Sequence, residues 1–170
     1  MKVVSNASPL IALGKLGQLG LLFKLYDAVL IPREVYNEVV VNGLRLGAPD
    51  ARSVDFLVQQ GHIQIADVIF PSSPPAWAQP IDLGEVEVIL LAQQQAADQV
   101  LIDNAHARNA ARQAGLTLKG TIGLLLDAYR RSYLTLQEFE LIVQAIKAMP
   151  DLWISERLCD RALALARQVT

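Results

Sequence analysis

Short apolar runs alternate along the chain with stretches whose apolar residues recur three and four positions apart, the pattern of strands interleaved with amphipathic helices. Val3 and Val4 predict a short strand that ends at Asn6. Ser8 followed by Pro9 supplies a helix start, so the first helix runs through Leu10 to about Leu16. The apolar segment Leu19 to Tyr26 leads into a second strand, Ala28 to Ile31, and Pro32 closes it and opens a helix carrying Val35, Tyr36, Glu38 and Val39. Gly43, Gly47 and Pro49 predict a loop, followed by a helix over Ala51 to Gln60 and a strand over His62 to Val68. The run FPSSPPAWAQP at 70–80 holds four prolines and two serines, which predicts an internal loop without a regular element.

Asp82, Gly84 and Glu85 begin a strong helix with Val86, Ile89, Leu90 and Ala92 on its apolar side. Val100 to Ile102 predict a buried strand ending at Asp103. An alanine-rich helix follows at 105–114, stopped by Gly115, and Leu116 to Leu118 predict one more strand. From there the pattern is helical: Gly120 to Arg131, Leu136 to Met149 and Ser155 to Gln168, with Pro150 between the last two. Strands alternating with helices predict a three-layer α/β/α domain with a mainly parallel sheet, over residues 1–170 as a single unit. Ligands in such folds collect beyond the carboxyl ends of the strands, where Asn6 and Asp103 stand.

Composition narrows the function classes. With 15 basic against 17 acidic residues in 170, the chain is no broadly basic nucleic-acid coat, and any nucleic-acid site must be local. The single cysteine, Cys159, excludes an intrachain disulfide and is expected to be a buried small hydrophobe. The first residues lack a signal core, and no apolar span of about 20 residues occurs, so a cytoplasmic protein without a membrane segment is expected.

Three acids stand where predicted elements meet loops: Glu38, Glu85 and Asp103. Carboxylates gathered from distant positions suit magnesium or manganese, which take hard oxygen ligands, keep several waters, and activate water toward a phosphodiester. Each acid also has a plainer reading. Asp103 can cap the helix that follows it, Glu85 has capping-box spacing to Asp82, and Glu38 can be a solvated helix residue. Asn6 can orient a metal-bound water or ligate through its amide oxygen, or simply end a turn. Arg108 and Arg112 share a helix face that can meet phosphate or water; Lys119 can draw backbone to the cleft rim. Thr121 can hold a phosphate, a water or its own helix start. His106 is a weak general-base candidate, and neither histidine belongs to an HExxH motif or a zinc pattern with Cys159. There is no GxGxxG run and no GxxxxGK[ST] loop, which argues against dinucleotide and P-loop enzymes.

SNASPLIAL at 5–13, IPREVYNEV at 31–39, DLGEVEVILLA at 82–92, LIDNAHARNAA at 101–111 and LKGTIGLLLDA at 118–128 together resemble the DUF3368 group of PIN-domain proteins. That resemblance implies a PIN-like sheet with helices on both faces and an acidic pocket that binds Mg2+ or Mn2+ and hydrolyses RNA. It places the cleft at Asn6, Glu38, Glu85 and Asp103, with Thr121 as a supporting hydroxyl and Asn104 beside the last acid. Two positions depart from the pattern. PIN nucleases generally carry aspartate where this chain has Asn6, and often a tandem acidic pair where it has Asp103 and Asn104. The departures keep open a second reading, a catalytically weakened or inactive module that binds RNA or protein. The resemblance further implies the toxin of a toxin–antitoxin pair, a small antitoxin partner and a homodimer. Trp77, in the proline-rich loop, can touch a base or a partner, or anchor the loop to its own domain.

Overall fold

The computed structural model describes residues 1–78 and 80–168. Among them five strands form one sheet: β1 (Lys2–Ser5), β2 (Ala28–Pro32), β3 (Ile63–Ala66), β4 (Gln99–Leu101) and β5 (Leu118–Lys119). Every pairing is parallel, in the order β3-β2-β1-β4-β5, with Val3 opposite Val29 on one side and Gln99 on the other. Successive strand residues face opposite sides, and Val3 and Val4 are both fully buried, so both faces of the sheet are covered. The fold is the expected three-layer α/β/α arrangement.

The chain steps outward from β1 to β2 and β3, then returns to place β4 on the other flank of β1. The order reverses between β1 and β4, and a crevice opens there beyond the strand ends. The backbone N–H of Asn6 donates to the Leu101 carbonyl at 2.9 Å, tying the two sides of that crevice together.

Helix α1 (Ala7–Lys15) packs on α5 (Pro49–Gln59) and α8 (Thr121–Arg130), and α2 (Gly20–Leu25) on α8 and β2. Helix α6 (Leu83–Gln94) lies across β2, β1 and β4, and α7 (Ala105–Gln113) against β5. Helices α9 (Leu136–Ala148) and α10 (Glu156–Arg167) close on α8, with the Phe139 ring, fully buried, 5.7 Å from that of Tyr129. Cys159 is a buried free thiol in α10. Capping boxes formed by Asp82 with Glu85 and by Thr135 with Glu138 fix the starts of α6 and α9.

One expectation needs correction. The helix after Pro32 does not yield to a loop at Gly43: α3 (Arg33–Tyr36) runs into a π-helical turn, Asn37–Asn42, and on into α4 (Gly43–Arg45). Gly43 serves as a point of close approach, because a Cβ there would sit 2.7 Å from the Cβ of Ala51 on α5. Gly14 of α1 does the same against Asp50, also at 2.7 Å. The segment turns only at Gly47, whose φ of +73° favours glycine. Two smaller differences lie elsewhere: β5 falls one to two residues later than expected, and a 3-10 turn, Ala76–Ala78, occupies the proline-rich stretch.

Helix α5 therefore beds on two bare backbones. Gly14→Ala and Gly43→Ala should each destabilise the fold by a net of about 1–2 kcal/mol in urea unfolding, since overpacking outweighs the gain in helix propensity. A stability gain in either variant would show that α5 is free to move away.

Candidate active site

Asp103 follows β4 at the crevice, and both its oxygens are engaged. Oδ1 accepts the Thr121 backbone N–H at 2.7 Å and Oδ2 accepts the Thr121 hydroxyl at 2.6 Å. The carboxylate therefore caps α8, not the helix that follows it in sequence. That helix, α7, is capped by Asn104, whose Oδ1 accepts from the N–H groups of His106 (2.8 Å) and Ala107 (3.2 Å). Thr121, fully buried, likewise turns its hydroxyl to Asp103. Gly120 makes the contact possible: a Cβ there would lie 2.8 Å from Asp103 Oδ1. Burial pushes the Asp103 carboxyl above its ordinary range, although the Thr121 hydrogen bonds and nearby Arg108 pull the other way.

Glu85, in the first turn of α6, is 6% exposed. Its carboxylate accepts a long 3.4 Å bond from the Asp82 N–H, while its own N–H donates to Asp82 Oδ1 at 2.8 Å. Burial raises its pKa first, repulsion from Asp82 and Glu38 adds to this, and the Asp82 N–H and then His106 oppose it. Glu38 projects from the π-helical turn. Its side chain keeps exposed surface, but surrounding protein raises its pKa, followed by the charges of Asp82 and Glu34. Glu38 approaches α6 at Gly84, in its first turn, where a Cβ would stand 3.8 Å from Glu38 Oε2 and 3.5 Å from Asp82 Oδ1. Asn6 is buried at the head of α1, and its side chain does not cap that helix.

Glu38, Asp103 and Asn104 line a common cavity of about 420 Å³. Glu85 and Asn6 do not line it, although Glu85 feels the charge of Glu38, which does. Among the described residues, no group of three or more His, Cys, Asp or Glu side chains is arranged to hold a metal by itself. The basic candidates are turned to the fold. Arg108 Nη1 donates to the Ile102 carbonyl at 2.7 Å, and Lys119 is ion-paired with Asp127.

The cavity also has walls that sequence reasoning missed. Ser8 contributes a buried hydroxyl with no partner, Lys15 is ion-paired with Asp151, and Trp153 stands at the rim, 94% exposed. A tryptophan in the linker DLWIS after Pro150 was the available signal. Trp77, by contrast, is half-buried against the core.

A model of the DUF3368 family, described as a PIN domain, matches residues 2–168. The chain belongs to that PIN-domain family. A comparison with curated proteins finds no match, and neither does one with solved structures. Among the described residues, no helix is long and apolar enough to cross a membrane. PIN domains are generally divalent-metal-dependent, and the residues present fit such an ion in one way. The donors are all oxygen, Glu38 and Asp103 face one cavity, and Ser8 leaves an orphan hydroxyl beside them. That set suits a hard cation that retains much of its water.

The raised Glu85 pKa carries a sign for stability. The folded state holds this proton more tightly than the unfolded chain, so stability falls as pH rises from the ordinary value of about 4.3 through the folded one. Glu85→Gln, which can preserve the capping box, should raise the thermal midpoint at pH 7, and the gain should vanish at about pH 4. A midpoint unchanged at pH 7 would mean that the site carries no electrostatic tension at Glu85.

Proposed function

We propose that this cleft is the active site of a divalent-metal-dependent ribonuclease that hydrolyses RNA phosphodiesters. The observation that carries the reading is the convergence of Glu38 and Asp103 on one cavity at the strand-order reversal of a PIN-domain chain. In the proposal Glu38, Glu85 and Asp103 hold one or two Mg2+ or Mn2+ ions, with Asn6 completing the shell. Such an ion, when bound, polarises the phosphodiester and lowers the pKa of water.

The remaining work belongs to the chain. A carboxylate offers about four lone-pair directions, and Thr121 occupies two on Asp103, so the others are held in a fixed orientation. Glu38 and Glu85, raised in pKa by burial and by neighbouring acids, favour the arrival of positive charge between them. Asn6, a neutral donor and acceptor free of capping duty, orients a water. Thr121 and Arg108 act as positioning residues for Asp103, Thr121 by direct hydrogen bonds and Arg108 by holding the Ile102 carbonyl one residue upstream. On the family resemblance alone, the reading extends to the toxin of a toxin–antitoxin pair, with a small antitoxin partner and self-association.

A second reading, a PIN-domain module that binds RNA or protein without cleaving, is favoured by one observation. Asn104, where a second acid would stand, is committed to capping α7. Cleavage of a mixed RNA pool with Mg2+ or Mn2+ separates the two. The nuclease reading expects products from the wild type, a loss of more than about 100-fold in Asp103→Asn, and a loss of about 10- to 100-fold in Thr121→Val that Thr121→Ser restores. Folded, metal-supplied wild type that yields no product, or Asp103→Asn that cleaves equally well, would overturn it.

A further inference from the structure

Trp153 is more exposed than any other large apolar residue among the described residues, at 94%. Its neighbours are not loose. Leu152 is buried and its N–H donates to the Met149 carbonyl at 3.1 Å, Ile154 packs on the core, and Asp151 is paired with Lys15 of α1. The linker is pinned on both sides of the indole while the ring itself forgoes the burial of about 150–250 Å² typical of an aromatic residue. Trp153, with Leu152 and Ile154, lines two cavities, the 420 Å³ one that holds Glu38 and Asp103 and a second of about 460 Å³ beside Met149 and Lys147.

We propose that Trp153 is a stacking platform for a base of single-stranded RNA threaded through the acidic cleft. The inference rests on the reading of that cleft as a phosphodiester site and adds how the strand is gripped. The cavity wall mixes the two kinds of surface that a nucleotide carries: Ile11, Ala12 and Ile154 are apolar, while Glu38, Asp103, Asn104 and the Lys15–Asp151 pair are polar. A base stacks on the first, and sugar and phosphate reach the second. An apolar anchor from a protein partner fits less well, because it would cover the Glu38 and Asp103 carboxylates without offering them partners. Lys15 adds no net attraction, since Asp151 offsets it. The phosphate thus enters together with the cation that the acids attract, and the indole supplies the grip that does not depend on charge. The second cavity gives the next base a place beyond the ring. Every base has a π-face, so the platform tolerates any sequence but requires unpaired bases.

The test is binding of a mixed-sequence oligoribonucleotide of about eight nucleotides, end-labelled, to the full chain in Mg2+ on ice. Anisotropy reads affinity, and a gel of the same samples reads cleavage. Trp153→Ala should bind about 10- to 100-fold more weakly, Trp153→Phe within about threefold of wild type, and a duplex of the same sequence should not distinguish the variants. RNA should quench wild-type tryptophan emission, and that quench should vanish in Trp153→Phe, which retains Trp77. An exposed ring makes no core contacts, so the thermal midpoint of Trp153→Ala should match wild type. Equal affinity in Trp153→Ala, an equal loss on duplex, or no RNA binding by wild type overturns the platform. So does a wild-type dimer that becomes monomeric in Trp153→Ala, which would assign the ring to a protein interface. RNA held through Trp153 but never cut leaves the platform standing and removes the nuclease reading, whereas RNA cut equally well by Trp153→Ala removes the platform alone.

Discussion

The carboxylate of Asp103 accepts both the backbone N–H and the hydroxyl of Thr121, and this paired contact joins the end of β4 to the start of α8. Hydrogen bonds to a charged group contribute about 1.5–3 kcal/mol each, which is enough to hold a buried carboxylate that desolvation would otherwise disfavour. Around the contact the sequence has little freedom. Gly120 must lack a side chain, and Ile102 must give its carbonyl to Arg108 and its N–H to the Lys119 carbonyl. Helix α8 in turn carries α9 and α10, and the linker between those two bears Trp153. One side of the cavity is thus the end of β4 with Asp103, beside Glu38 of the π-helical turn. The other hangs from the helices that Asp103 anchors.

The same crevice holds an electrostatic tension that nothing in the fold relieves completely. Asp103, Glu85 and Glu38 all have raised pKa values, and burial is the first cause in each case. Arg108 offsets part of this at Asp103 and His106 part of it at Glu85, while Glu38 meets only further acids. A cation arriving from outside, as the proposed nuclease requires, would relieve this tension, and the neutral Asn6 and Asn104 lower the negative charge that must be balanced when none is bound.

Much of the fold was legible because its signals are local. Val3–Val4 and Val100–Ile102 are short buried runs bounded by polar residues, and Asp82 with Glu85 forms the capping box that its spacing suggests. What escaped the sequence depends on partners distant along the chain. Gly43 looks like a helix breaker, and only the approach of Ala51 shows why a helix keeps it. Asp103 looks like a cap for α7, yet its partner Thr121 lies 18 residues on, and Asn104 takes the cap. Lys119 looks free for phosphate until Asp127, one to two turns into α8, captures it. Trp77 takes the anchoring one of its two readings, half-buried against the core, while Trp153, which no sequence pattern singled out, is left at the rim by anchors on either side of it.

The central claim is that the acids of the crevice form a divalent-cation site organised by Asp103. Titration of Mn2+ into the protein, followed by the electron paramagnetic resonance signal of the free aqueous ion, tests it without reference to RNA or to turnover. The account expects wild-type protein to remove the free-ion signal and Asp103→Asn, folded to the same thermal midpoint within a few degrees, to leave it largely intact. Folded wild-type protein that leaves the signal unchanged, or Asp103→Asn that removes it equally, would contradict the account.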